Sequence, residues 1–138
     1  MPAKTPLHIP QDNAVFGSSA AAFDKYGYAP AMRAGGLLFI AGVVGVRADG
    51  SVPEAVGEQA ELVFQRTAEI LRLEGLAMTD LVEMVSYHVD LADNLAEVLP
   101  VKQRYIPQPS VAWSIIGVAA LARPVLKIEI RSIAAFRT

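Results

Sequence analysis

The residues best suited to chemistry lie near the C-terminus, in Leu126-Lys-Ile-Glu-Ile-Arg. At strand spacing Lys127, Glu129 and Arg131 share one face and alternate with Leu126, Ile128 and Ile130. A carboxylate held in such a strand can position a water or shuttle a proton at the rim of a cleft. The same alternation describes a solvated strand face, since charged side chains are mostly exposed. Both readings of Glu129 stand at this point. Arg131, roughly 7 Å along the strand, is either an anion-binding group or half of a structural ion pair with a neighbouring carboxylate; most strand charge pairs are structural. Upstream stands Trp113, the single tryptophan. A lone tryptophan is more often core or interface than ligand platform.

Other chemistries lack their residues. There is no cysteine, which excludes disulfides, thiolate catalysis and cysteine metal sites. The two histidines, His8 and His88, are far apart in sequence and have no partner at ligand spacing, so no metal is expected. His88 is expected to be structural or solvent-facing. No serine sits in Gly-x-Ser-x-Gly. Gly35-Gly36 is too short for a phosphate loop and does not open a helix. The net charge of −2 and pI near 5.6 argue against a nucleic-acid partner. No stretch approaches the ~18 apolar residues of a membrane span, so no membrane partner is expected. The start, Met1-Pro-Ala-Lys-Thr-Pro-Leu-His-Ile-Pro, lacks the apolar run of a signal peptide, and the expectation is a cytoplasmic protein.

The elements that must position these residues can be read from periodicity. The 138 residues are expected to form a single domain, 1–138. Residues 1–25 read as a short edge strand and a loop. Ala31-Met-Arg-Ala, Gly35-Gly36 and Leu37-Leu-Phe-Ile-Ala read as a β-hairpin, the glycines supplying the positive φ of a tight turn. The second strand, Leu37 to Val46, is apolar on both faces and is expected to be central. A first helix is predicted from Pro53 or Glu54 to Glu74, with Ala60, Val63, Phe64, Thr67, Ile70 and Leu71 inward. Glu61, Gln65, Arg66, Glu69 and Arg72 lie mostly opposite. A strand follows at Leu81 to Leu91, with Val85, Tyr87 and Val89 alternating with Met84, Ser86, His88 and Asp90. A second helix is predicted over Asn94 to Tyr105, with Pro100 inside kinking it or delaying its start. Two last strands fall at 110–119 and 125–136. The order β-β-α-β-α-β-β predicts an α+β fold, a mixed sheet with both helices on one face. The hydrophobic fraction, 53% against 19% charged, points to a buried subunit interface on the other face.

Taken in order, several segments carry a resemblance. They are Tyr28, then Ala34-Gly35-Gly36-Leu-Leu-Phe-Ile-Ala-Gly42, Glu58-Gln59-Ala60 opening a helix that ends Glu74-Gly75-Leu76, and Asp80-Leu81-Val82. Asp90-Leu-Ala-Asp, Val118-Ala-Ala-Leu and Lys127-Ile-Glu-Ile-Arg-Ser-Ile-Ala follow. From about Tyr28 to Ala134 the chain resembles the Rid/YjgF family of reactive-intermediate (enamine/imine) deaminases. The resemblance implies a chorismate-mutase-like fold, a homotrimer, and a cleft at each subunit boundary that binds a small molecule without a cofactor. It implies roles residue by residue. Tyr28 and Gly42 match the tyrosine and glycine that line the cleft, Glu129 matches the glutamate that holds the attacking water, and Ile115 lies where backbone groups would contact ligand and water. Two positions depart. Trp113 stands where deaminating members have the arginine that grips the substrate carboxylate, and Leu99 falls near a cleft asparagine. An indole cannot replace a guanidinium fork. The sequence therefore predicts a divergent member that binds a small, aromatic or uncharged metabolite, adding water to an imine-like electrophile if it is an enzyme. The alternatives are a deaminase whose anion site is rebuilt around Arg131, or a non-enzymatic ligand-binding or regulatory protein.

Overall fold

Two glycines set the first hairpin. In the computed structural model, which describes residues 2–138, Gly35 and Gly36 take φ of +58° and +79°, the left-handed values that a two-residue hairpin turn needs. In chain order the elements are β1 (Thr5–Pro6), α1 (Ala21–Tyr26), β2 (Ala31–Ala34), β3 (Leu37–Val44), α2 (Val56–Leu73), β4 (Leu81–Val89), α3 (Leu91–Tyr105), β5 (Ala112–Val118) and β6 (Ile128–Ala135). From β2 onward this is the predicted order. The short edge strand β1 is also as expected, but α1 replaces part of the expected loop. Its six residues are too few for a stable helix alone. They are held by a tertiary contact, the Phe23 ring lying 6.0 Å from that of Phe16.

The six strands form one mixed sheet, ordered β1-β2-β3-β6-β4-β5. Only the β4–β5 pair is parallel, and α3 supplies the crossover that a parallel pair requires. Both long helices cover one face, α2 over β3 and β6, α3 over β4 and β5. Leu38, Ile40, Met84, Ile128 and Ile130 of the sheet share a core with Ala60, Val63, Phe64 and Val98 of the helices. Gln59, fully buried, ties this layer to the segment that feeds β6. Its amide donates to the carbonyls of Pro53 and Val125, each at 2.9 Å, and its carbonyl accepts from the Lys127 amide at 2.9 Å.

Three details depart from the sequence reading. In β4 the helices cover Met84, Ser86 and His88, and the latter two are 0% exposed. Register with β6, Ser86 opposite Ile130 and His88 opposite Ile128, places them on the core side. His88 is therefore structural and buried, not solvent-facing. On α2, Arg66 and Glu69 are 6% and 9% exposed rather than solvated. The N-terminal segment folds over that flank. Arg66 Nε donates to the Val46 carbonyl at 2.7 Å and its guanidinium stacks 4.5 Å over the Phe16 ring, while Asn13 Nδ2 donates to Glu69 at 2.5 Å. Finally, α3 begins at Leu91, three residues early, and runs through Pro100 to Tyr105.

The sheet face away from the helices is bare in the single chain. Phe39 and Ile116 are 42% and 41% exposed there. Strand β5 is an edge, exposed along most of its length.

Candidate functional site

Glu129 lies on the bare face, between Val44 of β3 and Tyr87 of β4. A bulge in β3 between Ile40 and Val43 turns Gly42 toward it. A Cβ at position 42 would come within 2.7 Å of Glu129 Cδ, so only glycine leaves room for the carboxyl. Burial raises the Glu129 pKa above its ordinary 4.5. Tyr28 stands just before β2, its ring edge-on to Phe23 at 5.1 Å. Burial, and next the charge of Glu129, hold its phenol above the ordinary 10.0. Glu129 is thus tied to Gly42 by close packing and to Tyr28 by charge.

Arg131 follows Glu129 on the same face. Its Nε donates to the Tyr87 hydroxyl at 3.0 Å. Its partner is a phenol rather than the carboxylate that an ion pair would need. Gly42 and Arg131 line a concavity of about 340 Å³ with Ala29, Met32 and Phe39.

Trp113 and Ile115 are elsewhere. The parallel register sets Trp113 beside Met84 and Ile115 beside Ser86, on the helix side of the sheet. Trp113 Nε1 donates to Ser86 Oγ at 2.8 Å, and Ser86 Oγ lies 2.7 Å from His88 Nε2. Burial holds the His88 pKa below its ordinary 6.5, so the ring is neutral. The tautomer protonated on Nδ1 lets Ser86 accept from the indole and donate to His88 Nε2. His88 Nδ1 then has no hydrogen-bond partner among the described residues. From α3, Lys102 brings its ammonium to 5.5 Å from the centre of the Trp113 ring. Leu99 and Ile115 are exposed nearby on α3 and β5.

The sequence candidates therefore divide between the two faces of the sheet. Glu129, Gly42 and Arg131 lie with the bare face, and Tyr28 couples to Glu129 from the loop before β2; Trp113 and Ile115 lie with the helices. A single copy does not bring the two groups together. Sequence reasoning missed Ser86 and Lys102 as neighbours of Trp113. The spacing of Ser86 and His88 along one strand face was visible; which face the helices would cover was not.

The family described as Endoribonuclease L-PSP matches residues 19–136. The RutC family protein YjgH of Escherichia coli is 30% identical over 101 residues, covering 72% of this chain and 77% of YjgH. The chain belongs to the Rid/YjgF family. Another Rid/YjgF relative, the chloroplastic Reactive Intermediate Deaminase A of Arabidopsis thaliana, is 37% identical over 109 residues, 78% of this chain and 57% of that protein. The solved structure of protein YjgH superposes with a TM-score of 0.79 at 28% identity, over 94% of this chain and 99% of that one. The α+β, chorismate-mutase-like fold expected of the Rid/YjgF family is the one observed. No helix among the described residues is long and apolar enough to cross a membrane.

Proposed function

We propose that this Rid/YjgF protein is a cytoplasmic homotrimer whose inter-subunit clefts bind a small metabolite, with Glu129 orienting a water that adds to an imine-like carbon of the ligand. The observation that carries the reading is the half-buried Glu129 carboxyl, packed on Gly42, close enough to Tyr28 to raise its phenol, and itself raised in pKa by burial. A carboxylate of raised basicity takes a proton from water more readily than an exposed one. Water oxygen bonds to the imine carbon and one of its protons passes by way of Glu129 to the nitrogen; the remaining hydroxyl proton then follows to the nitrogen as the carbon–nitrogen bond breaks, leaving a carbonyl and ammonia. No cofactor is required by that balance.

The trimer has two supports in the fold. The bare sheet face exposes Phe39 and Ile116, and the outer edge of β5 is open. A second copy docked there is also what would bring Trp113 and Ile115 of one chain to Glu129 of another.

With an indole at position 113, engaged by Ser86, the cleft has no guanidinium fork for the smallest imino acids. Turnover of freshly generated 2-aminoacrylate by the purified protein should be about tenfold to a hundredfold below that of an arginine-bearing relative. Turnover equal to the relative's would overturn this reading. A second reading, an anion site at Arg131, has one observation behind it: Arg131 lines the same concavity as Gly42.

A further inference from the structure

The region around Trp113 holds a cation without a counter-ion. Each of the four ion pairs among the described residues uses an arginine, and none includes Lys102. The nearest helical neighbour of like charge, Arg104, is paired with Glu61 at 2.5 Å. Lys102 instead projects from the flank of α3 that faces β5, and its ammonium sits over the Trp113 ring. Leu99 lies three residues earlier on the same helix, so the two side chains are neighbours. Exposed Leu99 and Ile115 give the surroundings an apolar character. The Ser86 hydroxyl fixes the indole from below, so the ring that borders Lys102 is held in place.

An ammonium on a half-buried side chain, over an aromatic face and with no carboxylate at ion-pair distance among the described residues, is poised to take an anion from outside the chain. Arg131 of the same chain is committed elsewhere, on the other sheet face, where it donates to Tyr87. An ammonium is a point charge with three donors and does not impose the planar fork of a guanidinium. It accepts a carboxylate at an angle set by the rest of the ligand, here by contact with Trp113, Leu99 and Ile115.

We infer that Lys102 is the carboxylate-recognising residue of the cleft, and that the ligand is an acid with an apolar or aromatic body lying along Trp113 and Leu99. The inference rests on the proposed cleft and names the ligand class that it takes. It replaces the expectation of an uncharged ligand.

Trp113 is the single tryptophan, so its fluorescence reports this region alone. The test titrates the intact protein with phenylacetate and with phenylacetamide, which has the same shape without the charge. Phenylacetate should perturb the emission saturably and bind about tenfold or more tightly than the amide, the worth of one charged hydrogen bond. Lys102→Met should remove that preference, Lys102→Arg should keep it, and Arg131→Ala should leave it unchanged. Thermal unfolding checks that each variant is folded. Equal binding of the two probes, no saturable binding of phenylacetate, or a preference that survives Lys102→Met or disappears in Arg131→Ala would overturn the assignment. The readout needs no turnover. Carboxylate preference through Lys102 without hydrolysis of any imine would sink the proposed reaction and leave Lys102 standing. Imine hydrolysis with KM unchanged in Lys102→Met would do the reverse.

Discussion

The two faces of the sheet treat polar groups in opposite ways. On the bare face, Glu129 is half-buried among few partners. Its neighbour Gly42 offers space rather than a hydrogen bond, and its carboxyl answers with a raised pKa. On the helix-covered face, Trp113, Ser86 and His88 are chained together at 2.8 and 2.7 Å, with Ser86 and His88 fully buried and Trp113 partly so. The first arrangement leaves a titratable group available for work; the second immobilises an aromatic ring. The contrast teaches that the two faces prepare different groups: on one a titratable carboxyl, on the other a ring held in place. Beside the held ring of Trp113 stands a charge, Lys102, from a different element.

The sharpest way to break the contrast is Glu129→Gln. The amide keeps the shape and loses the base, so imine hydrolysis should fall about a hundredfold or more. Native mass spectrometry should show an unaltered oligomer, and phenylacetate binding should persist. An unchanged rate in steady-state kinetics would strip Glu129 of any part in turnover and favour a non-enzymatic binding protein.

Ser86→Ala attacks the opposite face. It orphans the indole N–H and the buried His88 ring nitrogen, at a cost of about 2 kcal/mol. Urea unfolding should show a lower midpoint, with Trp113 emission broadened in the folded state. A midpoint within error of the parent would mean that helix packing alone holds the ring.

The smallest expected effect comes from Gly42→Ala. The added Cβ meets the tip of a flexible side chain, so the carboxyl turns outward while the fold survives. Turnover should fall about tenfold, as a water held by that carboxyl is misplaced. The pH profile carries the signature. In the parent, rate is lost on acidification at a pH above 4.5, because burial raises the Glu129 pKa. In the variant that limb should move down toward the ordinary value. Stability runs the other way: with the folded pKa raised, the contribution of this group is complete below the unfolded value and lost as pH rises through the folded one. A limb that stays in place would show that Gly42 does not govern the Glu129 environment.

Much of this was legible in one dimension. Gly35-Gly36 predicted its turn because two adjacent positive φ angles leave few alternatives to glycine. The inward stripe of α2 was correct for all six apolar and threonine positions, which are buried. Glu58-Gln59-Ala60 marked a family segment, and the structure supplies its physical reason in the three hydrogen bonds of Gln59. Helix α1 escaped because its six residues carry too short a pattern to register, and its support is a side-chain contact, the tilted packing of Phe23 on Phe16. Arg66 escaped because its cover comes from the N-terminal segment, which helical periodicity does not register.

What the sequence determined by itself was the list of elements after residue 31, the family, and the residues that share a strand face. Alternation with period two carries that much, since neighbouring side chains point to opposite sides whatever packs on them. Which side is covered depends on where the helices land, and this was settled only in three dimensions. Placing α3 over β4 and β5 buried Ser86 and His88, turned Trp113 inward beneath Lys102, and left Glu129 on the far side of the sheet. Residues sixteen apart in sequence and read as one cleft, Trp113 and Glu129, became two half-sites because a sheet has two faces and the helices cover one.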